Sequence, residues 1–99
     1  MTKTAIAIGI AAIIISGTTG ALAYTGENLA RTAKITVDKA RTIALNVRPG
    51  TITDTELERE GGGLRYSFDI KAGNKTYEVG VDAMTGKVLE NTAEGANPD

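Results

Sequence analysis

The chain contains no cysteine and no histidine. Without cysteine there is no disulfide framework, thiolate nucleophile, thiolate metal site or lipid-modified N-terminal cysteine. An oxidising compartment is therefore permitted by this composition but not used. With both residues absent, the commonest general base near neutral pH and the most reactive side-chain nucleophile are missing. A strong charge of one sign is missing too: eleven basic residues stand against twelve acidic ones, a net charge of −1. That balance offers no electrostatic footprint for nucleic acid or an anionic membrane surface. Length sets a further limit, since 99 residues allow one small domain at most.

Long apolar runs are confined to the N-terminus. Lys3 precedes an unbroken run from Ala5 to Ile15, followed by "SGTTGALA". Ala21 and Ala23 make an A-x-A signal that places cleavage between Ala23 and Tyr24. Eleven residues at about 1.5 Å rise each span about 16 Å, well short of the roughly 30 Å of bilayer hydrocarbon. Residues 1–23 are thus expected to be a cleaved signal peptide, not a stable membrane anchor, and the protein to be exported, periplasmic or secreted. Cleavage removes Lys3 and no acid, so ten basic residues would face twelve acidic ones, net −2. The remaining 76 residues are a size at which one core supplies only a few kcal/mol. A deep catalytic cleft is hard to build from so little, and no enzymatic activity is expected.

Residues 24–34, "YTGENLARTAK", are polar and weakly patterned and read as a flexible lead-in. Thr36 then offers an N-cap hydroxyl, with Asp38 in the first turn where negative charge suits the helix dipole. Val37, Ala40, Ile43, Ala44 and Val47 fall on one arc of a 3.6-residue helix; Leu45 falls off it. Pro49-Gly50 ends the helix, because proline biases Arg48 away from helical angles.

The rhythm then changes from 3.6 to 2. Leu64, Tyr66, Phe68 and Ile70 alternate with polar residues, and so do Tyr77, Val79 and Val81. Apolar residues of paired strands must share a face, which fixes the register. Ile70 is expected opposite Tyr77, leaving Gly73-Asn74 as a two-residue turn, with Arg65 facing Asp82 and Asp69 facing Glu78. "TITDTELERE" reads as a more polar strand with Leu57 inward, joined through "GGG" so that Arg65 lies near Glu58 or Glu60. Ile52 and Leu57 are five apart, so either a bulge intervenes or the strand starts after Ile52.

"VDAMTGKVLE", residues 81–90, gathers carboxylate, hydroxyl and glycine, as some active sites do. A strand–turn–strand needs the same residues. Asp82 is placed to accept a backbone N–H two residues on, Thr85 to add a hydroxyl contact, and Gly86 to supply a positive φ. With no histidine or cysteine to complete a site, the stretch reads as a structural turn ahead of a short last strand.

This order of features resembles the PepSY family: a helix, "RPG", three strands and the ending "YEVGVDAMTGKVL". Ala40, Ala44, Pro49-Gly50, "ELEREGGGLRYSFDI" and the run Asp82-Ala83-x-Thr85-Gly86-Lys87-Val88 carry the likeness. PepSY modules occur in propeptides of thermolysin-type metalloproteases, in spore germination proteins and in small exported bacterial proteins. The resemblance implies a protein partner, with an extracytoplasmic protease as the implied class, and it supplies no catalytic residue.

The fold expected is α+β, one amphipathic helix packed on one face of an antiparallel three- to four-stranded sheet. The domain is placed over residues 35–91, with 92–99 as a disordered tail. The other sheet face carries Glu56, Glu58, Glu60, Asp69 and Glu78. Hard cations take six to eight oxygens in looped cages, and strand carboxylates more often make a solvated charged face, so no metal and no cofactor is assigned. Asp69 and Glu78 lack the cleft that paired glycosidase carboxylates need. Tyr66, Phe68 and Tyr77 share the phase of Ile70 and Val79, which points to core, and "GGG" lacks the Lys-Ser/Thr and helix of a phosphate loop. Arg65 and Gly80 are the candidate protein contacts, because a strand-interior glycine often marks close approach by another backbone. The function expected is a non-enzymatic exported protein-binding module that modulates a peptidase. The alternative is an envelope accessory that binds a small ligand or a cation.

Overall fold

A computed structural model describes residues 23–95 of the chain. The expected signal segment through residue 22, and residues 96–99 of the expected tail, lie outside the described residues. Helix α1, Val37–Val47, begins where the Thr36 hydroxyl accepts the Lys39 N–H at 3.1 Å. Asp38 pairs with Arg41 one turn on, and the helix stops at Arg48, whose backbone has left the helical region before Pro49. Strands β1 (Thr51–Glu60), β2 (Gly63–Ala72), β3 (Lys75–Asp82) and β4 (Val88–Ala93) follow. They form one antiparallel sheet in the order β1-β2-β3-β4.

The register is the one that side-chain parity requires. Ile70 faces Tyr77 and Ala72 faces Lys75, around the turn Gly73-Asn74. Glu58 faces Arg65 and Glu60 faces Gly63, which leaves Gly61-Gly62 as the connection. A register shift between Ile52 and Asp54 brings Ile52 to the face of Leu57, where it packs against the core.

The core lies between α1 and one sheet face. Leu57, Leu64, Tyr66, Phe68, Ile70, Val79 and Val81 supply the sheet side, and Ala40 and Ala44 the helix side, all buried. Alanine at both helix positions lets the helix backbone come close to the large sheet residues. Tyr66 and Phe68 stack at 6.3 Å between ring centroids, and the Tyr66 hydroxyl donates to the Ile35 carbonyl at 2.8 Å. Tyr77 shares the core face but is only half-buried. Its ring is covered by the Arg48 guanidinium at 3.8 Å, which also donates from Nε to Asn91 Oδ1 at 3.1 Å. Asn91 Nδ2 donates in turn to the Val47 carbonyl at 3.3 Å. A cation–π contact and an amide thus tie the end of α1 to β3 and β4.

Two boundaries differ from the sequence expectation. Residues 24–34 are not a featureless flexible lead-in: Glu27–Thr32 is a 3-10 helix, Thr25 makes a parallel bridge with Glu56, and the Leu57 N–H donates to the Thr25 carbonyl at 2.8 Å. Gly26 makes this approach possible, because it sits at φ 86° and a Cβ there would collide with the Leu57 carbonyl oxygen. Tyr24, Leu29 and Ala30 pack against the core from this segment. The segment also explains Leu45, which lies off the helix's apolar arc and lines, with Tyr24, Arg41 and Ile52, a cleft of about 630 Å3. At the other end β4 runs to Ala93, and the Glu94 N–H still reaches the Thr76 carbonyl at 2.8 Å. Residues 92 and 93 therefore belong to the sheet, paired with Glu78 and Tyr77 of β3, and not to a tail.

The connection between β3 and β4 is knotted around Asp82. Its Oδ1 accepts the N–H groups of Met84 at 2.8 Å and Thr85 at 3.0 Å, and Thr85 Oγ1 accepts the Lys87 N–H at 3.2 Å. Gly86 holds φ 84°, and a Cβ on it would stand 3.2 Å from Ile43 Cδ1 of α1. Gly86→Val is expected to lower stability by about 1 kcal/mol or more, since a β-branched residue resists positive φ. Asp82→Asn is expected to cost less, because asparagine also forms this turn. Urea melts of both variants check the order; an unchanged Gly86→Val would contradict the turn's role.

Candidate functional site

Strand alternation sends the even residues of β1 after its bulge, together with Arg65, Ser67, Asp69, Glu78, Gly80, Glu90 and Thr92, to the face away from α1. This face is acidic and has one central cation. Arg65 extends across β3 toward β4: its Nη2 lies 3.0 Å from Glu90 Oε1 and 3.8 Å from Glu78 Oε2. Its Nη1 is 3.3 Å from Glu60 Oε1, and its Nε donates to Ser67 Oγ at 3.0 Å. The Ser67 hydroxyl donates in turn to Glu58 Oε2 at 2.9 Å. The Arg65 side chain is only 11% exposed, whereas its carboxylate partners range from 33% to 60%.

Gly80 is what allows this. A Cβ at position 80 would stand 2.5 Å from Arg65 Cζ, so the guanidinium lies flat on the strand where any other residue would carry a side chain. The two candidate contact residues are therefore brought together, but on each other. The close approach that a strand glycine signals comes from the chain's own arginine and not from a foreign backbone. Asp82, Thr85 and Gly86 stand apart, in the β3–β4 turn. Ala23 and Tyr24 open the described chain, with Tyr24 packed against the core. Its hydroxyl adjoins that of Tyr66, whose pKa is pushed up to about 12, first by burial and then by Tyr24.

Around Glu78, at the limit of the reach of Arg65, the carboxylates crowd one another. Asp69, Glu78 and Glu94 each bring an oxygen within 4.8 Å of the others'. Glu94 has a raised pKa, first through its hydrogen bond with Asp69 and then through desolvation and repulsion. Glu78 is raised by burial and by Glu90, against the pull of Arg65, and Glu56 by burial and its neighbours Glu58 and Asp54. Asp82 goes the other way, lowered by the N–H groups of Met84 and Thr85. Three oxygens on an open face fall short of the six to eight that calcium takes, so a cation there would be held mostly by water.

Glu90 and Glu94 escaped the sequence reading, which named five acids and ended the domain at residue 91. The signal was present as the alternation Glu90, Thr92, Glu94. A second register shift, between Gly80 and Val81, hides the phase of β4 from a parity argument. Chemically the face offers charge and hydrogen bonds. The Ser67 hydroxyl is engaged on both sides.

The chain matches the family model of PepSY, "Peptidase propeptide and YPEB domain", over residues 34–92. It belongs to the PepSY family. Comparisons with curated proteins and with solved structures give no match. The helix on a four-stranded antiparallel sheet is consistent with that family. PepSY domains are propeptide-like regulatory modules, generally non-catalytic, associated with peptidase regulation, and they occur in extracytoplasmic proteins. Among the described residues no helix is long and apolar enough to cross a membrane.

The raised carboxylates give the stability a direction with pH. A carboxyl whose folded pKa lies above its unfolded value binds more protons in the folded state, so stability falls as pH rises through that window. Acidification from pH 7 toward the ordinary glutamate value of 4.5 should stabilise the domain through Glu56, Glu78 and Glu94. The gain should reverse as pH falls below the ordinary aspartate value of 3.8, where the turn loses the Asp82 carboxylate. Melting temperatures from pH 7 to 3 check this, and Glu78→Gln should flatten the upper limb. A monotonic loss of stability from pH 7 downward would contradict it.

Proposed function

We propose that the protein is an exported, non-enzymatic binding module that inhibits an extracytoplasmic peptidase reversibly. The single observation that carries this reading is the PepSY match, which covers the helix, the sheet and the closing turn. The site chemistry agrees with it. Cysteine and histidine are absent, the best-placed hydroxyl is locked between Arg65 and Glu58, and what the sheet offers is surface and strand edge. Export follows from Lys3, the apolar run Ala5–Ile15 and the Ala21-x-Ala23 signal ahead of Tyr24. A second reading, a hard cation held in the envelope, is favoured by the Asp69, Glu78 and Glu94 trio.

Titration of the purified protein into extracytoplasmic peptidases of the cell that makes it tests the first reading. Inhibition should be saturable and reversed by dilution, and mass spectrometry should find the protein uncleaved and without a covalent adduct. Absence of inhibition, with calcium raising the melting temperature of wild type but not of Glu78→Gln, would favour the cation reading instead.

A further inference from the structure

An antiparallel sheet of four strands has two edges, and in this chain they are not equivalent. The β1 edge is met near its middle by the chain itself: Thr25 bridges Glu56, and Gly26 lies against the Leu57 carbonyl. The β4 edge has no such cover, since among the described residues no strand pairs with it on the side away from β3. The ladder shows which groups it presents. Glu94 donates to the Thr76 carbonyl, and the pairs Glu78–Thr92 and Gly80–Glu90 continue the alternation. Glu90, Thr92 and Glu94 thus direct their backbone groups toward β3, and Asn91 and Ala93 direct theirs outward.

The two sides of this edge differ in chemistry. On the helix side stands Val47, 40% exposed, and Leu89, 47% exposed, occupies the bulge of β4 between Val88 and Glu90. Val47 is held beside β4 by the Asn91 amide. On the other side stand Glu90, Thr92 and Glu94, with Asp69 and Glu78 on the strands behind. Among the described residues no salt bridge reaches Asp69 or Glu94, while Arg65 is already shared by four glutamates.

We propose that the β4 edge receives an extended segment of a partner protein in which apolar and basic residues alternate. Its apolar side chains lie toward Leu89 and Val47, and its basic ones over Glu90 and Glu94. Main-chain hydrogen bonds to Asn91 and Ala93 supply affinity, and the alternation supplies specificity. Lysine or arginine on the acidic side relieves the repulsion within the carboxylate trio, of which Arg65 reaches only Glu78. A second copy of the chain is a poor occupant, because β4 against β4 would set the glutamates of both copies on one crowded face. The inference rests on the protein-binding reading above and specifies its edge and the partner's chemistry.

The test is a titration of the 15N-labelled full chain with a synthetic peptide of alternating valine and lysine, and separately with the valine–glutamate counterpart. With the lysine peptide, the amide protons of Asn91 and Ala93 should exchange at least ten-fold more slowly, and added salt should weaken binding. Ala93→Pro removes an outward N–H and should weaken binding at least ten-fold; Leu89→Ser, a change at an exposed side chain, should weaken it without affecting the fold. Protection that appears on β1 instead, equal binding of the glutamate peptide, or self-association through β4 would overturn the proposal. So would absence of binding by the lysine peptide, and that result would leave the peptidase titration to decide the broader reading on its own.

Discussion

The sheet depends on one guanidinium lying flat over one glycine. A single short helix covers only one face, so the other must satisfy water and still hold four strands together. Here it does so with carboxylates drawn from β1, β3 and β4, which repel one another unless a cation stands among them. Arg65 occupies that place at 11% exposure, in reach of Glu58, Glu60, Glu78 and Glu90. Exposed ion pairs are worth about 0–1 kcal/mol each, so the number of partners matters less than the burial of the hub. Charge-assisted hydrogen bonds to Glu90 and Ser67 from a desolvated planar fork are the stronger part of the interaction. Lysine, a point charge on a flexible stem, would not reproduce that geometry.

The same economy of material runs through the rest of the domain. Ala40 and Ala44 let α1 settle on Tyr66, Phe68 and Ile70, at the cost of contributing little apolar surface themselves. The missing surface is made up at the margins by Arg48 over Tyr77, by Leu45 and Tyr24 beside Ile52, and by the Asp82 turn against Ile43. A small core makes each of these marginal contacts matter. Residues 24–34 are accordingly part of the fold, and they leave β4 as the edge without a partner strand among the described residues.

Much of this was legible in the residues, for physical reasons that can be named. Strand phase is binary, so Leu64–Ile70 and Tyr77–Val81 dictated their own register, and the Asp82–Gly86 turn followed from side-chain chemistry. Thr36 and Pro49 marked the helix ends. What escaped depends on contacts remote in sequence. The role of Gly80 required knowing that the Arg65 side chain crosses β3 instead of leaving the sheet. The order in residues 24–34 arises from one parallel bridge to β1, which no periodicity announces. Glu90 and Glu94 were hidden by a bulge, and with them the carboxylate crowding that distinguishes the outer face.

The dependence on Arg65 and Gly80 can be measured most directly with a double-mutant cycle in chemical denaturation. In the wild-type background Gly80→Ala should destabilise by about 1 kcal/mol or more, because the new methyl expels the guanidinium from its hydrogen bonds. In an Arg65→Ala background the same change should be neutral or stabilising, since alanine is the better strand residue once nothing lies above it. An equal effect of Gly80→Ala in both backgrounds would contradict the account.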